Sequence, residues 1–117
     1  MVEDTVALAR ALAKLGCDVV DVSTGGNVPE SRPEYGRMYQ VPFAEAVKVG
    51  SGLPVMTVGA ILGADHANTV IGAGRADLCA IGREHLSDPY LVHRHAQAER
   101  VDGSSWPLQY LAVKPRR

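Results

Sequence analysis

Apolar residues recur at helical spacing from Thr5 to Leu15, where Leu8, Leu12 and Leu15 share a stripe and Arg10 and Lys14 face away. Asp4 precedes this run. Gly16 ends it, a residue suited to the left-handed position that terminates helices. Cys17 to Ser23 is short, rich in β-branched residues and bounded by glycines, the pattern of a strand. From Asn27 to Arg37 two prolines, Gly36 and several polar residues spell a long loop, the kind of segment that often carries function in a compact domain. Pro42 suits the first turn of a short helix over Phe43 to Val49, with Ala44, Ala46 and Val47 inward. Pro54 to Gly59 then reads as a second strand. A helix with Asp65 in or just before its first turn closes at Gly72 and Gly74. Leu78 to Gly82 is a third strand, and Ser87-Asp88-Pro89 signals a last helix over Pro89 to Arg100, with Leu91, Val92, His95 and Ala96 inward.

This alternation of helix and strand specifies parallel strands joined by crossover helices, an α/β fold. The strands are nearly all apolar, as in sheets covered on both faces. Their openings at Asp18, Pro54 and Leu78 lie 36 and 24 residues apart, close to the roughly 30 residues of one unit in a (β/α)₈ barrel. A chain of 117 residues holds only about three to four such units, so a closed eight-stranded barrel does not fit.

Composition narrows the function classes. With 46% hydrophobic and 21% charged residues the chain can form a core without a disulfide lattice. A formal net charge of −1 lacks the cation excess of a sequence-independent nucleic-acid binder. No apolar stretch approaches the roughly 20 residues of a membrane span, and Met1-Val2-Glu3-Asp4 lacks the basic start of a signal peptide, so a cytoplasmic location is expected. Cys17 and Cys79, far apart and each opening an apolar run, read as two buried free thiols.

Ligands of parallel α/β folds collect at the carboxyl ends of the strands. There the sequence places Ser23-Thr24-Gly25-Gly26, then Gly59-Ala60-Ile61, then Gly82-Arg83-Glu84. Bare amides at Gly59 and Gly82, a helix start and the Arg83 guanidinium suit a phosphate. The competing reading is that both glycines only make tight turns and that Arg83 pairs with Glu84 or Asp88. Gly72-Ala73-Gly74 ends a helix, the reverse of a dinucleotide fingerprint. No acid–base pair stands out: His66, His85, His93 and His95 fall on helices or helix starts, His93 and His95 point to different faces, and His95 reads as a hydrogen-bonded core residue. Asp18 and Asp21 read as capping or pairing groups, and Ser23 and Thr24 lack the setting of a nucleophile.

Four runs share a resemblance: Asp18 to Gly26, Tyr35 to Ala44, Gly74 to Asp77, and Ile81 to Pro89. In order and spacing they resemble the carboxyl-terminal third of the Old Yellow Enzyme family, FMN-dependent NAD(P)H oxidoreductases built on a (β/α)₈ barrel. The Tyr35-Gly-Arg-Met-Tyr-Gln40 run and Trp106-Pro-Leu-Gln-Tyr110 look most like the reductase portion of the salicylyl-CoA hydroxylase and anthraniloyl-CoA monooxygenase/reductase branch. The resemblance implies that residues 1–117 are a partial TIM barrel, strands six to eight with their helices. It also implies that Gly59, Gly82 and Arg83 hold the FMN phosphate, that NADH or NADPH donates the electrons, and that a small molecule or CoA thioester accepts them. The family's isoalloxazine contacts and proton-transfer groups fall upstream of residue 1, so no catalytic residue is assigned, and no metal. The loop around Arg37 and Tyr39 either borders the active-site mouth or is structural. Open strand edges imply self-association or an amino-terminal partner segment. Lys114, Arg116 and Arg117 form either a solvated tail or an arm to a neighbouring subunit. The other function class is a non-catalytic FMN- or phosphate-binding or interaction module on the same fold.

Overall fold

The computed structural model describes residues 1–26, 28–101 and 106–114. Helix α1 (Val2–Lys14) leads into strand β1 (Val20–Val22), α2 (Val41–Ser51), β2 (Val55–Thr57), α3 (Ala64–Gly72) and β3 (Leu78–Cys79). Helices α4 (Arg83–Ser87) and α5 (Leu91–Ala98) and a 3-10 helix over Leu108–Val113 follow. The chain divides into two compact units, Met1–Gly82 and Arg83–Arg117.

In the first unit the three strands form one parallel sheet in the order β1-β2-β3. Val20 pairs with Val55, Asp21 with Met56 and Val22 with Thr57, and β3 continues the rows with Leu78 beside Met56 and Cys79 beside Thr57. Side chains alternate across a strand, so Val20, Val22, Val55, Thr57 and Cys79 share one face. That face meets the helices. Val41, Ala44 and Val47, spaced three apart on α2, are fully buried with Val22, Val55, Val70, Ala9 and Ala76 in one core cluster. Each buried valine contributes roughly 1.5–3 kcal/mol relative to exposure. The opposite row, Asp21, Met56 and Leu78, is exposed at both ends and half-buried at Met56, with Leu78 51% exposed. An apolar parallel strand normally has cover on both faces; within this unit β3 has it on one.

The amino-terminal ends of the strands are held by charge. Asp77 Oδ2 accepts the Val55 N–H at 2.9 Å and Oδ1 accepts Lys48 Nζ at 2.8 Å. The Lys48 hydrogen bond, then the Val55 amide, hold the Asp77 carboxyl below its usual range. Arg75 Nε donates to Glu45 Oε2 at 2.7 Å, tying the β3 approach to α2.

The elements follow the predicted order, with corrections in detail. The strands are shorter than their apolar runs because only Val20–Val22, Val55–Thr57 and Leu78–Cys79 pair in the ladder. Helix α1 buries Ala9 and packs Val6 against the core, whereas Leu8 and Leu15 are exposed, so the leucine stripe is not the buried one. The cause is Gly50: a Cβ there would meet Val6 Cγ1 at 2.5 Å, so the missing side chain lets α2 approach on the Val6 side. Arg10 Nε donates to Gly50 O at 2.6 Å and fixes the same contact. Helix α4 begins at Arg83, at the helix start expected after the third strand. Helix α5 starts at Leu91, beyond the Asp88-Pro89 signal, because Asp88 Oδ1 accepts the Tyr90 N–H in the preceding turn. Within α5 Ala96 is buried and Val92 is exposed, not inward. Cys17 and Cys79 are both free and half-buried. Residues 27, 102–105 and 115–117 lie outside the described residues, so the readings of Asn27, Arg116 and Arg117 have no structural counterpart.

Candidate functional site at the carboxyl ends of the strands

A neutral side chain organises the carboxyl ends of β1 and β2. Gln40, only 4% exposed, receives hydrogen bonds on Oε1 from the Thr24 backbone N–H and from Thr24 Oγ1, the latter at 3.0 Å, and donates from Nε2 to Val58 O at 3.1 Å. Both acceptor positions of Oε1 and one of the two Nε2 hydrogens are thereby used. Gln40 sits one residue before α2, where the run Tyr39-Gln40-Val41-Pro42 gives only the signal of a helix start. Its role as a clasp between strands required coordinates.

Gly59 lies directly under this clasp. Its φ of +106° is one that side-chain-bearing residues rarely adopt, and a Cβ there would stand 2.5 Å from Gln40 Nε2 and 2.7 Å from Tyr39 Cε1. The group that approaches Gly59 closely is therefore this chain's own Tyr39-Gln40 pair. Ala60 and Met38 are also left-handed, at φ 51° and 55°, and Met38 N–H donates to Ala60 O at 3.2 Å. Two such residues bonded to each other hold the loop before α2 against the end of β2, a costly conformation kept by its surroundings. Tyr35 packs edge-on to Tyr39 at 5.4 Å, and Arg37 between them is exposed.

At the end of β3, Gly82 closes the first unit and Arg83 opens the second. A Cβ on Gly82 would meet nothing within 4 Å. Among the described residues the amides of Gly59, Ala60 and Gly82 donate no hydrogen bond. The exposed Arg83 guanidinium likewise has no hydrogen bond or ion pair among them. Of the two expected competitors, Asp88 is otherwise occupied: it accepts from Arg94 Nε at 2.9 Å and Nη2 at 2.6 Å, which, the Arg94 hydrogen bond first, holds its carboxyl below the usual range; Glu84 makes no ion pair with Arg83. Open amides at the strand ends of the first unit and, in the second, an uncommitted guanidinium are each groups of the kind that can hold an anion.

The remaining candidates fall elsewhere. His66 Nδ1 accepts the Leu62 N–H at 3.2 Å, His85 is on α4, and His93 and His95 are on α5. Asp18, Asp21 and Ser23 are exposed. Among the described residues no three His, Cys, Asp or Glu side chains cluster as metal ligands, and no helix is long and apolar enough to cross a membrane.

A parallel α/β sheet with helices on one face and open amides at its carboxyl ends defines the structural class. Residues 2–102 match the model of the NADH:flavin oxidoreductase / NADH oxidase family, and the chain belongs to that family. It is 39% identical over 109 residues to an NADPH dehydrogenase of Geobacillus thermodenitrificans (strain NG80-2), covering 93% of this chain and 32% of that protein. NADPH dehydrogenases of Bacillus pumilus (strain SAFR-032) and Listeria monocytogenes serotype 4a (strain HCC23) are 38% and 36% identical, over 93% and 92% of this chain. The chain thus spans about a third of the length of these relatives, 32% and 31% of the last two.

Proposed function

We propose that this chain supplies the phosphate half-site of an FMN-dependent NAD(P)H oxidoreductase of the ene-reductase type, with Gly59 and Gly82 presenting amides and Arg83 a bidentate cation to the FMN phosphate. The observation that carries the reading is the Gly82-Arg83 pair, unbonded at the end of β3 in a chain of a flavin oxidoreductase family. FMN, when bound, supplies the hydride-accepting ring; the residues here bind and orient its tail. In this reading β1, β2 and β3 are strands six to eight of a (β/α)₈ barrel. The row Asp21, Met56, Leu78 faces its interior, and an amino-terminal segment or further copies of the chain complete it. The electron acceptor is a small molecule or a CoA thioester, as in the salicylyl-CoA branch, and dependence on NADH or NADPH fits a cytoplasmic protein.

Titration of the purified chain with FMN, read by quenching of flavin fluorescence, tests this. Arg83→Ala is expected to weaken binding by about 1.5–3 kcal/mol, the scale of a hydrogen bond to a charged group, with stability unchanged within roughly 0.5 kcal/mol because the side chain is exposed and unpaired. Equal affinity of the two proteins would move the phosphate elsewhere. Adding NADH and an enone then separates the readings: steady NADH oxidation marks the enzyme, and FMN binding without turnover marks a flavin-binding module.

A further inference from the structure

The loop between β1 and α2 carries a cation that the phosphate reading does not use. A phosphate monoester bears about −1.5 to −2 charges near neutrality, more than the one guanidinium of Arg83 balances. In the first unit Arg10, Lys48 and Arg75 are already bonded, to Gly50 O, Asp77 and Glu45, and Lys14 ends α1 ahead of the amino-terminal end of β1. Arg32 and Arg37, both exposed, make no hydrogen bond or ion pair among the described residues. Their neighbours separate them. Ser31 Oγ accepts the Gly26 N–H at 3.2 Å, and a Cβ on Gly25 would meet Pro33 Cγ at 3.1 Å, so Arg32 is carried beside the glycines that follow β1. Met38 N–H instead donates to Ala60 O at 3.2 Å, and Tyr39, packed against Tyr35 at 5.4 Å, closes on Gly59. Only the Arg37 carbonyl carbon separates its Cα from that Met38 nitrogen, which places the Cα within roughly 6 Å of Ala60 O, inside the span of an arginine side chain.

We infer that Arg37 is a further binding residue for the FMN phosphate, the first unit's own cation beside the open Gly59 and Ala60 amides. The inference rests on the phosphate half-site proposed above and adds the charge that Arg83 alone does not supply. A guanidinium suits the task because its forked donors meet two phosphate oxygens at once. Being unpaired, Arg37 breaks no ion pair in order to bind. Its backbone is already pinned through the Met38–Ala60 bond, so only the side chain loses freedom when the anion arrives.

Titrating the full chain with FMN and with riboflavin, which differ only in the phosphate, isolates this contact. The unaltered chain is expected to prefer FMN. Arg37→Ala is expected to lose about tenfold or more in FMN affinity, the lower end of what a hydrogen bond to a charged group supplies, while riboflavin stays within about twofold. Its urea midpoint should not move, because the side chain is exposed and unpaired. Arg37→Lys keeps the charge without the fork and should fall between the two. Arg32→Ala removes the same charge from the same loop and should leave FMN affinity within about twofold, as expected of a screened surface charge. Three outcomes overturn the assignment of Arg37 alone: FMN affinity kept in Arg37→Ala but lost in Arg83→Ala, equal losses for FMN and riboflavin, or equal effects of Arg32→Ala and Arg37→Ala. An unaltered chain that does not prefer FMN to riboflavin overturns the half-site together with it.

Discussion

The two ends of the sheet are fastened by opposite means. At the amino-terminal end a carboxylate, Asp77, joins a backbone amide to an ammonium group, with a second ion pair beside it between Arg75 and Glu45. At the carboxyl-terminal end the fastening is an uncharged amide, Gln40, set among left-handed residues. The difference separates a charged fastening from a neutral one that leaves nearby amides open. A carboxylate at the second end would compete for the backbone donors there; an amide ties the strands and leaves the Gly59 and Ala60 amides unclaimed.

Gly59→Ala tests this contrast most severely. The new Cβ adds strain at φ +106° and displaces Gln40 from its partners, for an expected loss of about 2–4 kcal/mol, read as a fall in the urea midpoint. A loss under about 0.5 kcal/mol, the range of an ordinary surface change, would mean that the clasp does not depend on this glycine. Gln40→Leu preserves bulk but strands the Thr24 N–H, and about 2–3 kcal/mol of destabilisation is expected; an unchanged midpoint would show that the clasp holds nothing. Thr57→Val runs the other way. Thr57 is fully buried and its Oγ1 has no partner among the described residues, so removing the hydroxyl should stabilise by about 1 kcal/mol, and a destabilised variant would point to a partner for it.

Asp77→Asn sharpens the contrast through pH. The folded-state carboxyl titrates below its ordinary 3.8, so its contribution is present above that value and is lost as pH falls through the lower, folded one. The stability gap between the unaltered chain and the variant is therefore expected at neutral pH and should close in acid, with the smallest amplitude of the four because the pair is partly exposed and screened. A gap that persists in strong acid would show that the carboxylate's charge is not what fastens this end.

Periodicity and glycine punctuation suffice to order the helices and strands, because alternation of 3.6 and 2 survives in single sequences. They do not tell which side of α1 is buried. Leu8 and Leu15 are larger than Val6 and Ala9, yet the partner helix comes in over Gly50, and nothing local to α1 encodes that approach. The proposed anion site was half legible. Gly82-Arg83 could be placed at a strand end, but whether Arg83 would pair with Asp88 depended on Arg94, which reaches Asp88 across the turn before α5. Gln40 was invisible as a fastening because its partners, Thr24 and Val58, are 16 and 18 residues away in sequence.

Because Gln40 has no proton to gain or lose in ordinary buffers, the spacing of the strand ends it joins is indifferent to acidity. At the proposed site, variation of phosphate affinity with pH in the physiological range would then report the ligand's own second ionisation, near a pKa of about 6, against a guanidinium that stays charged throughout. Affinity rising with the dianion and levelling off above neutrality would be the signature of a rigid mouth.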